Sequence, residues 1–324
     1  MYSFETIQEI LSREFSAINW KVDPKELYTP VEYVLSLGGK RIRPSMVLMA
    51  YNIFSDDIEK AIKPAIGLEI FHNFTLLHDD IMDKAPIRRN KPTVHTRWNE
   101  NVAILSGDAM CIKAYEYLGQ CEGKYLKPVF DVFTQTALQV CEGQQYDMNF
   151  ETADTVNIDQ YLEMIKLKTS VLLAASLKIG AILGGASEKD ADLLYSCGCN
   201  FGLSFQLQDD LLDVYGDQDI FGKKIGGDIV ANKKTYLLIQ ALEAATDKEK
   251  VELNGLLKDQ SIDANTKVAR VKAFYDKKNV KAITEAAIGK YFSKAVVDLF
   301  TVDVPENKKN ELKRIISMMI GREK

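Results

Sequence analysis

Apolar residues recur at helical spacing along most of this chain, for example over residues 159–183 and 190–215. Short polar breaks separate these stretches at 122–124, 151–157, 184–188 and 217–228. Of the eight prolines, only Pro128 lies between Thr93 and Val304, so about two hundred residues lack the main helix breaker. No stretch shows the period-two alternation flanked by Asn-Gly or Asp-Gly that predicts a hairpin. The pattern therefore predicts an all-α fold.

The composition is that of a globular protein with a sizeable core, since 46% of the 324 residues are hydrophobic and 27% are charged. The net charge of -5 gives no support to a nucleic-acid partner. Residues 1–10 include Glu5 and Glu9 and lack the features of a secretory signal, and the longest uncharged run, 193–208, is too short to span a bilayer. Five cysteines without zinc-type spacing predict reduced thiols. We therefore expect a cytoplasmic protein with no transmembrane segment.

Two acidic clusters of identical spacing each follow an apolar run. Their members are Asp79, Asp80 and Asp83 in the first cluster and Asp209, Asp210 and Asp213 in the second. On a helix, the first and last carboxylates of each cluster lie on one face, one turn apart, where like charges are destabilising unless a cation neutralises them. Magnesium is usually held by one or two carboxylates together with substrate phosphates. The clusters therefore predict a site where magnesium binds a diphosphate.

Three basic segments accompany the acidic clusters. The first is the glycine-hinged run from Gly38 to Pro44. The second follows the first cluster, where prolines exclude a regular helix, and contains Lys84, Arg88, Arg89 and Lys91. The third follows the second cluster and contains Lys223, Lys224, Lys233 and Lys234. Because arginine forks and lysine charges both suit phosphate oxygens, and one diphosphate needs fewer of them, the sequence predicts two diphosphate substrates, one bound through magnesium and one bound directly.

Several motifs follow one another along the chain, namely Gly38-Gly39-Lys40-Arg41-x-Arg43-Pro44, Leu77-His78-Asp79-Asp80-x-x-Asp83, Arg88-Arg89-x-x-Pro92-Thr93-x-His95, Gly107-Asp108-Ala109, Gly143-Gln144-x-x-Asp147, Lys168-Thr169 and Phe205-Gln206-x-Gln208-Asp209-Asp210-x-x-Asp213. In combination, they resemble the trans-isoprenyl diphosphate synthase (polyprenyl synthetase) family, in particular its short-chain farnesyl and geranylgeranyl members. The family usually has glycine where this chain has Asn90, and asparagine is the next most tolerant residue at positive φ. After Ala241 the likeness is limited to helical, amphipathic character.

The resemblance implies an isoprenoid synthase fold, in which long antiparallel helices surround a deep central cavity. Length alone suggests about two domains. However, two acidic clusters that serve one substrate have to face the same cavity, so we expect residues 1–324 to form a single domain. The resemblance also implies a homodimer with about three Mg²⁺ ions per active site. The implied substrates are isopentenyl diphosphate and an allylic diphosphate, namely dimethylallyl, geranyl or farnesyl diphosphate.

The resemblance further implies a role for each matching residue. Asp79 and Asp83 would hold two magnesium ions on the allylic diphosphate, and Asp209 would hold the third. The carboxylates expected to complete or orient the metal shells are Asp80, Asp210 and Asp213. The groups expected to bind isopentenyl diphosphate are Lys40, Arg43, His72 and Arg89. Those expected to bind the allylic diphosphate are Arg88, Lys168, Lys224 and Lys233, and those expected to place oxygen dipoles near the developing carbocation are Thr169 and Gln206.

Two other functions share part of this pattern. A terpene cyclase has the same fold and first acidic cluster, but it typically carries Asn, Ser and Glu in its second metal motif and has no use for Lys40, Arg43 and Arg89. A non-catalytic regulatory subunit of a prenyl synthase usually lacks some of the acids or basic segments, all of which are present here. The sequence therefore favours a magnesium-dependent, head-to-tail condensation of isopentenyl diphosphate with an allylic diphosphate.

The residues that precede the first acidic cluster predict the length of the product. On a helix, Phe74 lies ~7.5 Å from Asp79 along the axis, and Phe71 lies ~12 Å away. A bulky ring at these positions would stop a chain that grows away from the metal. Farnesyl synthases of this insertion-free type often carry aromatic residues four and five positions before the cluster, whereas this chain has Thr75 at four. We therefore expect geranylgeranyl diphosphate (C20), with farnesyl diphosphate (C15) next.

Overall fold

The computed structural model describes residues 1–216 and 225–321. The chain divides into two compact units, each built from three separate stretches. Unit 1 comprises Met1–Thr134, Ala175–Tyr195 and Val302–Leu312. Unit 2 comprises Gln135–Ala174, Ser196–Thr301 and Lys313–Lys324. Several of these boundaries fall inside continuous helices, and the single domain over residues 1–324 stays a prediction.

Unit 1 begins with six helices and one short hairpin. They are α1 (Phe4–Ser16), α2 (Lys25–Ser36), α3 (Ile42–Phe54), α4 (Glu59–Met82), β1 (Ile87–Arg88), β2 (Lys91–Pro92), α5 (Val94–Arg97) and α6 (Glu100–Leu118). The apolar side chains of α3 and α4 occupy nearly all faces of these helices, because both helices lie in the core of the unit. Helix α4 packs against α3 and α6 and carries the first acidic cluster at its carboxyl end.

The described residues include one short hairpin, although no stretch of the sequence showed a pattern that predicts one. The backbone of residues 87–92 forms an antiparallel pair in which Arg88 lies opposite Lys91. Between the strands, Arg89 and Asn90 have φ values of 51° and 60°, and a two-residue hairpin turn of this type requires positive φ at both positions. The expected tolerance of Asn90 for this conformation is confirmed. Strands of two residues are too short to produce a period-two pattern, so the sequence could not reveal the pairing.

The next helices are long, and one is interrupted. They are α7 (Gly123–Thr152), α8 (Ile158–Ile165), a π-helical turn (Lys166–Ser170), α9 (Val171–Gly184) and α10 (Glu188–Tyr215). The helix predicted over residues 190–215 is confirmed by α10. The prediction of one regular helix over residues 159–183 is wrong in one respect, because a π turn interrupts it. The turn adds one residue to the helix, and the spacing of apolar residues does not reveal this. Such turns are frequent at functional sites, and this one contains Lys168 and Thr169.

Two glycines bring neighbouring helices of unit 2 close to the π turn. A Cβ atom at Gly143, on α7, would collide with the backbone of Leu167 and Lys168. A Cβ atom at Gly202, on α10, would lie 2.5 Å from the Cα atom of Ser170. The π turn is therefore held between two helices that approach it without side chains.

The remaining helices of unit 2 surround a second core. They are α11 (Gly227–Val230), α12 (Tyr236–Glu243), α13 (Asp247–Lys258), α14 (Ala264–Lys277) and α15 (Val280–Thr301). A short 3₁₀ turn (Glu306–Lys308) and α16 (Asn310–Ile320) complete the described chain. The core joins apolar residues of α8, α10 and α12 with those of α13, α14 and α15. Within it, α10 carries the second acidic cluster at its carboxyl end.

One helical stretch of the described residues, Ile158–Gly184, is long and apolar enough to cross a membrane by length and composition. The greater part of its most apolar window, 72%, is buried inside the protein. Buried helices of globular proteins have the same composition, so this stretch is weak evidence for a membrane span.

Candidate active site

The first acidic cluster occupies the last turn of α4. Asp83 is the residue that ends the helix, and its backbone N–H donates to the carbonyl of Asp79 at 2.9 Å. The Asp79 side chain is 19% exposed, and Asp83 is exposed. The helix therefore places these two carboxylates one turn apart within reach of solvent.

The middle carboxylate of the same cluster is engaged by the hairpin. Asp80 is buried, and Arg88 Nε donates to its two carboxylate oxygens at 2.8 and 2.9 Å. Arg88 Nη2 lies 2.8 Å from the same carboxylate and 3.6 Å from Asp79 Oδ2. Burial raises the pKa of the Asp80 carboxyl, and the Arg88 guanidinium opposes this shift. Asp80 thus holds Arg88 beside Asp79, and its expected role at the metal shell stays a prediction.

A second set of polar groups in unit 1 surrounds Arg43. Arg43 Nη1 lies 3.0 Å from His72 Nε2, and since arginine only donates, the histidine nitrogen accepts. Burial and the neighbouring Arg43 charge hold the pKa of His72 well below its usual value, so the ring is neutral. Burial also lowers the pKa of Arg43 to about 10, which leaves the guanidinium charged at neutral pH. The pair is a positive group whose orientation is fixed by a neutral acceptor.

Beneath Arg43 lies a buried carboxyl group that the sequence analysis did not identify. Glu69 is 5% exposed, and Asn73 Nδ2 donates to its Oε1 at 3.3 Å. Burial raises the pKa of Glu69, while Arg43 and Arg41 oppose the shift. The signal available in the sequence was a single acidic residue within the apolar run from Ala65 to Ile70.

The first basic segment is linked to the hairpin. Arg89 Nη1 donates to the carbonyl of Gly38. Arg89 also lies close enough to Arg43 and Arg41 to lower the pKa of both. Unit 1 therefore brings together three of the four groups expected to bind isopentenyl diphosphate, which are Arg43, His72 and Arg89. Arg41, for which the sequence analysis assigned no role, lies beside them.

Aromatic rings line α4 below the first cluster. The Phe74 ring lies 4.7 Å from the ring of His78 and 5.4 Å from that of Phe71, measured between centroids. Phe71 is 1% exposed and packs edge-to-face on Phe133 at 5.0 Å. Thr75 donates its hydroxyl hydrogen to the carbonyl of His72 at 2.8 Å, which turns its methyl group outward. Phe74 is therefore held in place on both sides, and Phe71 lies one layer deeper.

The second acidic cluster repeats the arrangement of the first. Asp209 and Asp213 are half-buried, whereas Asp210 is buried. The Tyr161 hydroxyl donates to Asp210 Oδ2, and Gln206 Nε2 donates to Asp210 Oδ1 at 3.1 Å. Burial is the main reason why the pKa of Asp210 is raised to about 7. In both clusters, the middle carboxylate is buried and accepts hydrogen bonds from protein side chains, whereas the outer two are more exposed.

A chain of hydrogen bonds leads from Asp210 to the π turn. Because Gln206 donates its amide hydrogens to Asp210, its amide oxygen points the other way and accepts from the Thr169 hydroxyl at 3.3 Å. The neighbouring Lys168 Nζ donates to Asp147 Oδ2 on α7 at 2.5 Å. The three expected residues Lys168, Thr169 and Gln206 thus lie together within unit 2. The sequence analysis missed Tyr161, because its partner Asp210 lies 49 positions away in the chain.

The loop after the second cluster is partly described. The Asp228 backbone N–H donates to Asp213 Oδ2 at 3.0 Å, and the Asp228 carboxylate contributes to the raised pKa of Asp210. Asp228 is therefore a further acid of this site that sequence reasoning missed. Lys233 is exposed, and its backbone N–H donates to the carbonyl of Asp228 at 2.9 Å. Lys224 lies outside the described residues.

The donor set can be compared with the needs of a divalent cation. Among residues 1–216 and 225–321, no group of three or more His, Cys, Asp or Glu side chains could hold a metal ion by itself. Each cluster nevertheless offers two accessible carboxylates, and magnesium is usually held by one or two carboxylates when phosphates supply further oxygens. The residues therefore fit magnesium bound together with a diphosphate.

Comparisons with known proteins agree with this geometry. The family model described as polyprenyl synthetase matches residues 24–277. The geranylgeranyl diphosphate synthase of Methanosarcina mazei is 43% identical over 222 residues, which cover 68% of this chain and 68% of that protein. A crystal structure of a geranylgeranyl pyrophosphate synthase superimposes with a TM-score of 0.95 at 40% identity and covers 100% of both chains. The Corynebacterium glutamicum geranylgeranyl pyrophosphate synthase, complexed with isoprenyl diphosphate and magnesium, has a TM-score of 0.86 at 26% identity and covers 98% of each chain.

Removing the Tyr161 hydroxyl tests the network around Asp210. We expect Tyr161→Phe to lower the free energy of unfolding by about 1–3 kcal/mol, because a buried carboxyl group loses a donor. Urea denaturation at neutral pH measures this change. Tyr236→Phe is the matched control, since its ring lies 6.5 Å from that of Tyr161 and its hydroxyl bonds to Gln240. Equal losses in both variants would contradict a specific role for Tyr161.

Proposed function

This chain belongs to the polyprenyl synthetase family and is a prenyltransferase, and from that premise we propose that it condenses isopentenyl diphosphate with an allylic diphosphate, head to tail and with magnesium. The observation that carries the proposal is that the carboxylates of the two acidic clusters are arranged in the same way. In each cluster, the middle carboxylate is buried and accepts hydrogen bonds from protein side chains, whereas the outer pair is more exposed. Accessible carboxylate pairs suit magnesium that shares its remaining positions with phosphate oxygens.

The metal ligands of this proposal are Asp79, Asp83 and Asp209, and Asp213 joins them or orients the shell. Asp80 and Asp210 orient their neighbours, because their oxygens already accept from Arg88, Tyr161 and Gln206. Bound magnesium would neutralise the negative charge that develops on the leaving diphosphate. The number of ions is set at about three by likeness to the family.

The basic groups divide between the two substrates. We assign Lys40, Arg43, His72 and Arg89 to isopentenyl diphosphate, since the charges of Arg43 and Arg89 interact and Arg89 is bonded to the carbonyl of Gly38. We assign Arg88, Lys168, Lys224 and Lys233 to the allylic diphosphate. Arg88 lies within 3.6 Å of Asp79, and the Nζ atom of Lys168 is fixed by Asp147.

The reaction that these groups support is the departure of the allylic diphosphate, the attack of the isopentenyl double bond on the resulting cation, and the loss of one proton to the released diphosphate. Cleavage of the allylic C–O bond leaves a delocalised carbocation, which Thr169 and Gln206 would stabilise through their oxygen dipoles. Preorganised donors stabilise the leaving anion without reorganising during the reaction. The growing chain needs apolar walls that exclude water, because water would convert the cation to an alcohol.

The product that the residues support best is geranylgeranyl diphosphate. Phe74 is held between His78 and Phe71, so its ring presents a fixed obstacle one and a half turns from Asp79. Thr75 adds only a methyl group beside it, because its hydroxyl is bonded to the backbone. The Methanosarcina mazei relative carries the same product in its name.

The proposal also includes a homodimer. Three large aliphatic side chains of α6 are exposed, namely Ile104, Leu105 and Ile112 at 43%, 60% and 69%. Leu105 and Ile112 lie two turns apart on one stripe of the helix. Exposed apolar stripes of this kind on a folded protein indicate an interaction surface, and we infer that a second copy of this chain covers it.

We place the protein in the cytoplasm. All five cysteines are free thiols, as expected in a reducing compartment. Burial raises the pKa of the Cys197 thiol, so this group is inert as a nucleophile. Cys197 and Cys199 stand two positions apart on α10 and do not share a face of the helix, which excludes them as a ready-made redox pair.

The first test concerns the metal. With isopentenyl diphosphate and an allylic primer, we expect activity to require Mg²⁺ and to disappear with a chelator. Asp79→Ala and Asp209→Ala should each lower kcat by at least ~10²-fold, the scale of losing one electrostatic stabiliser. Asp131→Ala, a 59% exposed carboxylate on α7, is the control and should keep full activity. Near wild-type turnover of either cluster variant at saturating substrate would show that the metal assignment is wrong.

The second test concerns product length. Phe74→Ala should lengthen the product, because it removes the ring that limits the chain. Thr75→Phe should shorten it by adding a ring beside Phe74. Leu76→Phe is the control, since it adds the same ring about 100° further around the helix and should leave the length unchanged. Chromatography of the dephosphorylated products measures all three, and unchanged lengths in the first two variants would place the limit elsewhere.

The third test concerns assembly. Light scattering should give the mass of a dimer for the wild-type protein. Leu105→Asp and Ile112→Asp together should shift it toward the monomer, because they place charge on the apolar stripe. Val251→Asp is the control, since Val251 is 74% exposed and belongs to a different helix, α13. A wild-type monomer, or an unchanged dimer in the double variant, would contradict the surface proposed here.

A further inference from the structure

We propose that helix α1 positions the residues that bind isopentenyl diphosphate and that it does so through Gln8 and Phe15. This inference rests on the proposed function and deepens it. The family match begins at residue 24, so α1 lies outside the matched segment. Its contacts nevertheless reach the basic loop, by which we mean residues 38–43.

The backbone of the basic loop adopts a conformation that needs outside support. Gly38 and Gly39 have φ values of 77° and 135°, and Arg41 has a φ of 46°. Positive φ is uncommon for a residue with a side chain. Such conformations persist when the surrounding structure holds them. The loop therefore depends on contacts with neighbouring elements to present its charges in one arrangement.

Helix α1 supplies two of these contacts, one on each side of the peptide that joins Lys40 to Arg41. Gln8 Nε2 donates to the carbonyl of Lys40 at 2.8 Å. The guanidinium carbon of Arg41 lies 3.8 Å from the centre of the Phe15 ring, which is the geometry of a cation–π interaction. The first contact fixes the backbone of the loop, and the second fixes the direction of the Arg41 side chain.

The helix can act as a support because it is itself anchored. The backbone N–H of Phe4 donates to Glu311 Oε1 at 2.8 Å, and the N–H of Tyr2 donates to Asn52 Oδ1 at 2.7 Å. Both bonds are at the amino end of the helix, and further along it Ile7 and Leu11 are fully buried. Helix α1 packs against α3, the helix that begins at the end of the basic loop. Movement of α1 would therefore move the loop.

Arg41 and the nearby Arg43 each carry a buried N–H group that has no acceptor in the described part of the protein. Arg41 Nη1 and Arg43 Nε are buried and have no hydrogen-bond partner. Buried N–H groups in native proteins are nearly always paired, so an orphaned guanidinium N–H indicates a missing acceptor. An anion with several oxygens, such as a diphosphate, supplies acceptors in the required number. Gln8 and Phe15 thus hold a charged, preorganised receptor and do not touch the substrate themselves.

Steady-state kinetics of four variants test this inference. Gln8→Ala and Phe15→Leu should each raise KM for isopentenyl diphosphate by about three- to tenfold, the range of one lost contact of this kind. KM for the allylic primer and kcat should stay within about twofold of wild type, since Gln8 and Phe15 make these contacts with Lys40 and Arg41. Phe15→Tyr keeps the aromatic face and should behave as wild type. Glu9→Ala, at an exposed position next to Gln8, is the control for changes on α1.

The outcomes separate this inference from the function on which it rests. Lys40→Ala serves as the reference variant, and it should raise KM for isopentenyl diphosphate more than KM for the primer. If Lys40→Ala does so while Gln8→Ala and Phe15→Leu do not, the role of α1 is wrong. If Lys40→Ala leaves KM for isopentenyl diphosphate unchanged, the assignment of the second site fails and the inference fails with it. A rise of both KM values in the α1 variants would indicate general loosening and would also overturn it. Gln8→Ala decides the question should Phe15→Leu fail to fold, which circular dichroism reveals.

Discussion

Both acidic clusters depend on one constraint, which is the repulsion between carboxylates that lie one turn apart on largely apolar helices. Such pairs destabilise a helix unless positive charge is supplied. Within each cluster, the repulsion is relieved differently for the middle and for the outer carboxylates. Its own donors, Arg88 in unit 1 and Tyr161 with Gln206 in unit 2, engage the middle carboxylate. The outer carboxylates lie closer to solvent, where an external cation can reach them.

The positive groups of unit 1 obey a related rule. Burial of Arg43 and Arg41 lowers the pKa of both, and a nearby counter-charge opposes this shift. Glu69 supplies that counter-charge from below, and its own pKa is raised by burial. His72 adds an acceptor without adding charge, since its low pKa keeps it neutral. The result is a site with net positive charge and two buried guanidinium nitrogens, Arg41 Nη1 and Arg43 Nε, that have no acceptor among the described residues.

The sequence was sufficient for the features that repeat or that have strong spacing. The all-α fold followed from apolar periodicity and from the scarcity of proline, and α10 lies where the pattern placed it. Both acidic clusters were visible because their spacing recurs. The π turn was not visible, since one extra residue in a helix leaves the apolar pattern almost intact. Tyr161, Glu69 and Gln8 were missed for a common reason: each acts through a partner distant in the chain, and a single sequence carries no sign of that partner.

Gly143 shows how unequal the freedom to vary is along this chain. Its missing side chain lets the backbone of the π turn pass, and any larger residue would displace the segment that carries Lys168 and Thr169. Gly289, on α15, faces open space at the position of an added Cβ atom. The two glycines look alike in the sequence, yet position 289 has room for most other amino acids and position 143 does not. Natural diversification and engineered libraries are therefore confined to a single amino acid at position 143, however freely the residues around the product chain are exchanged.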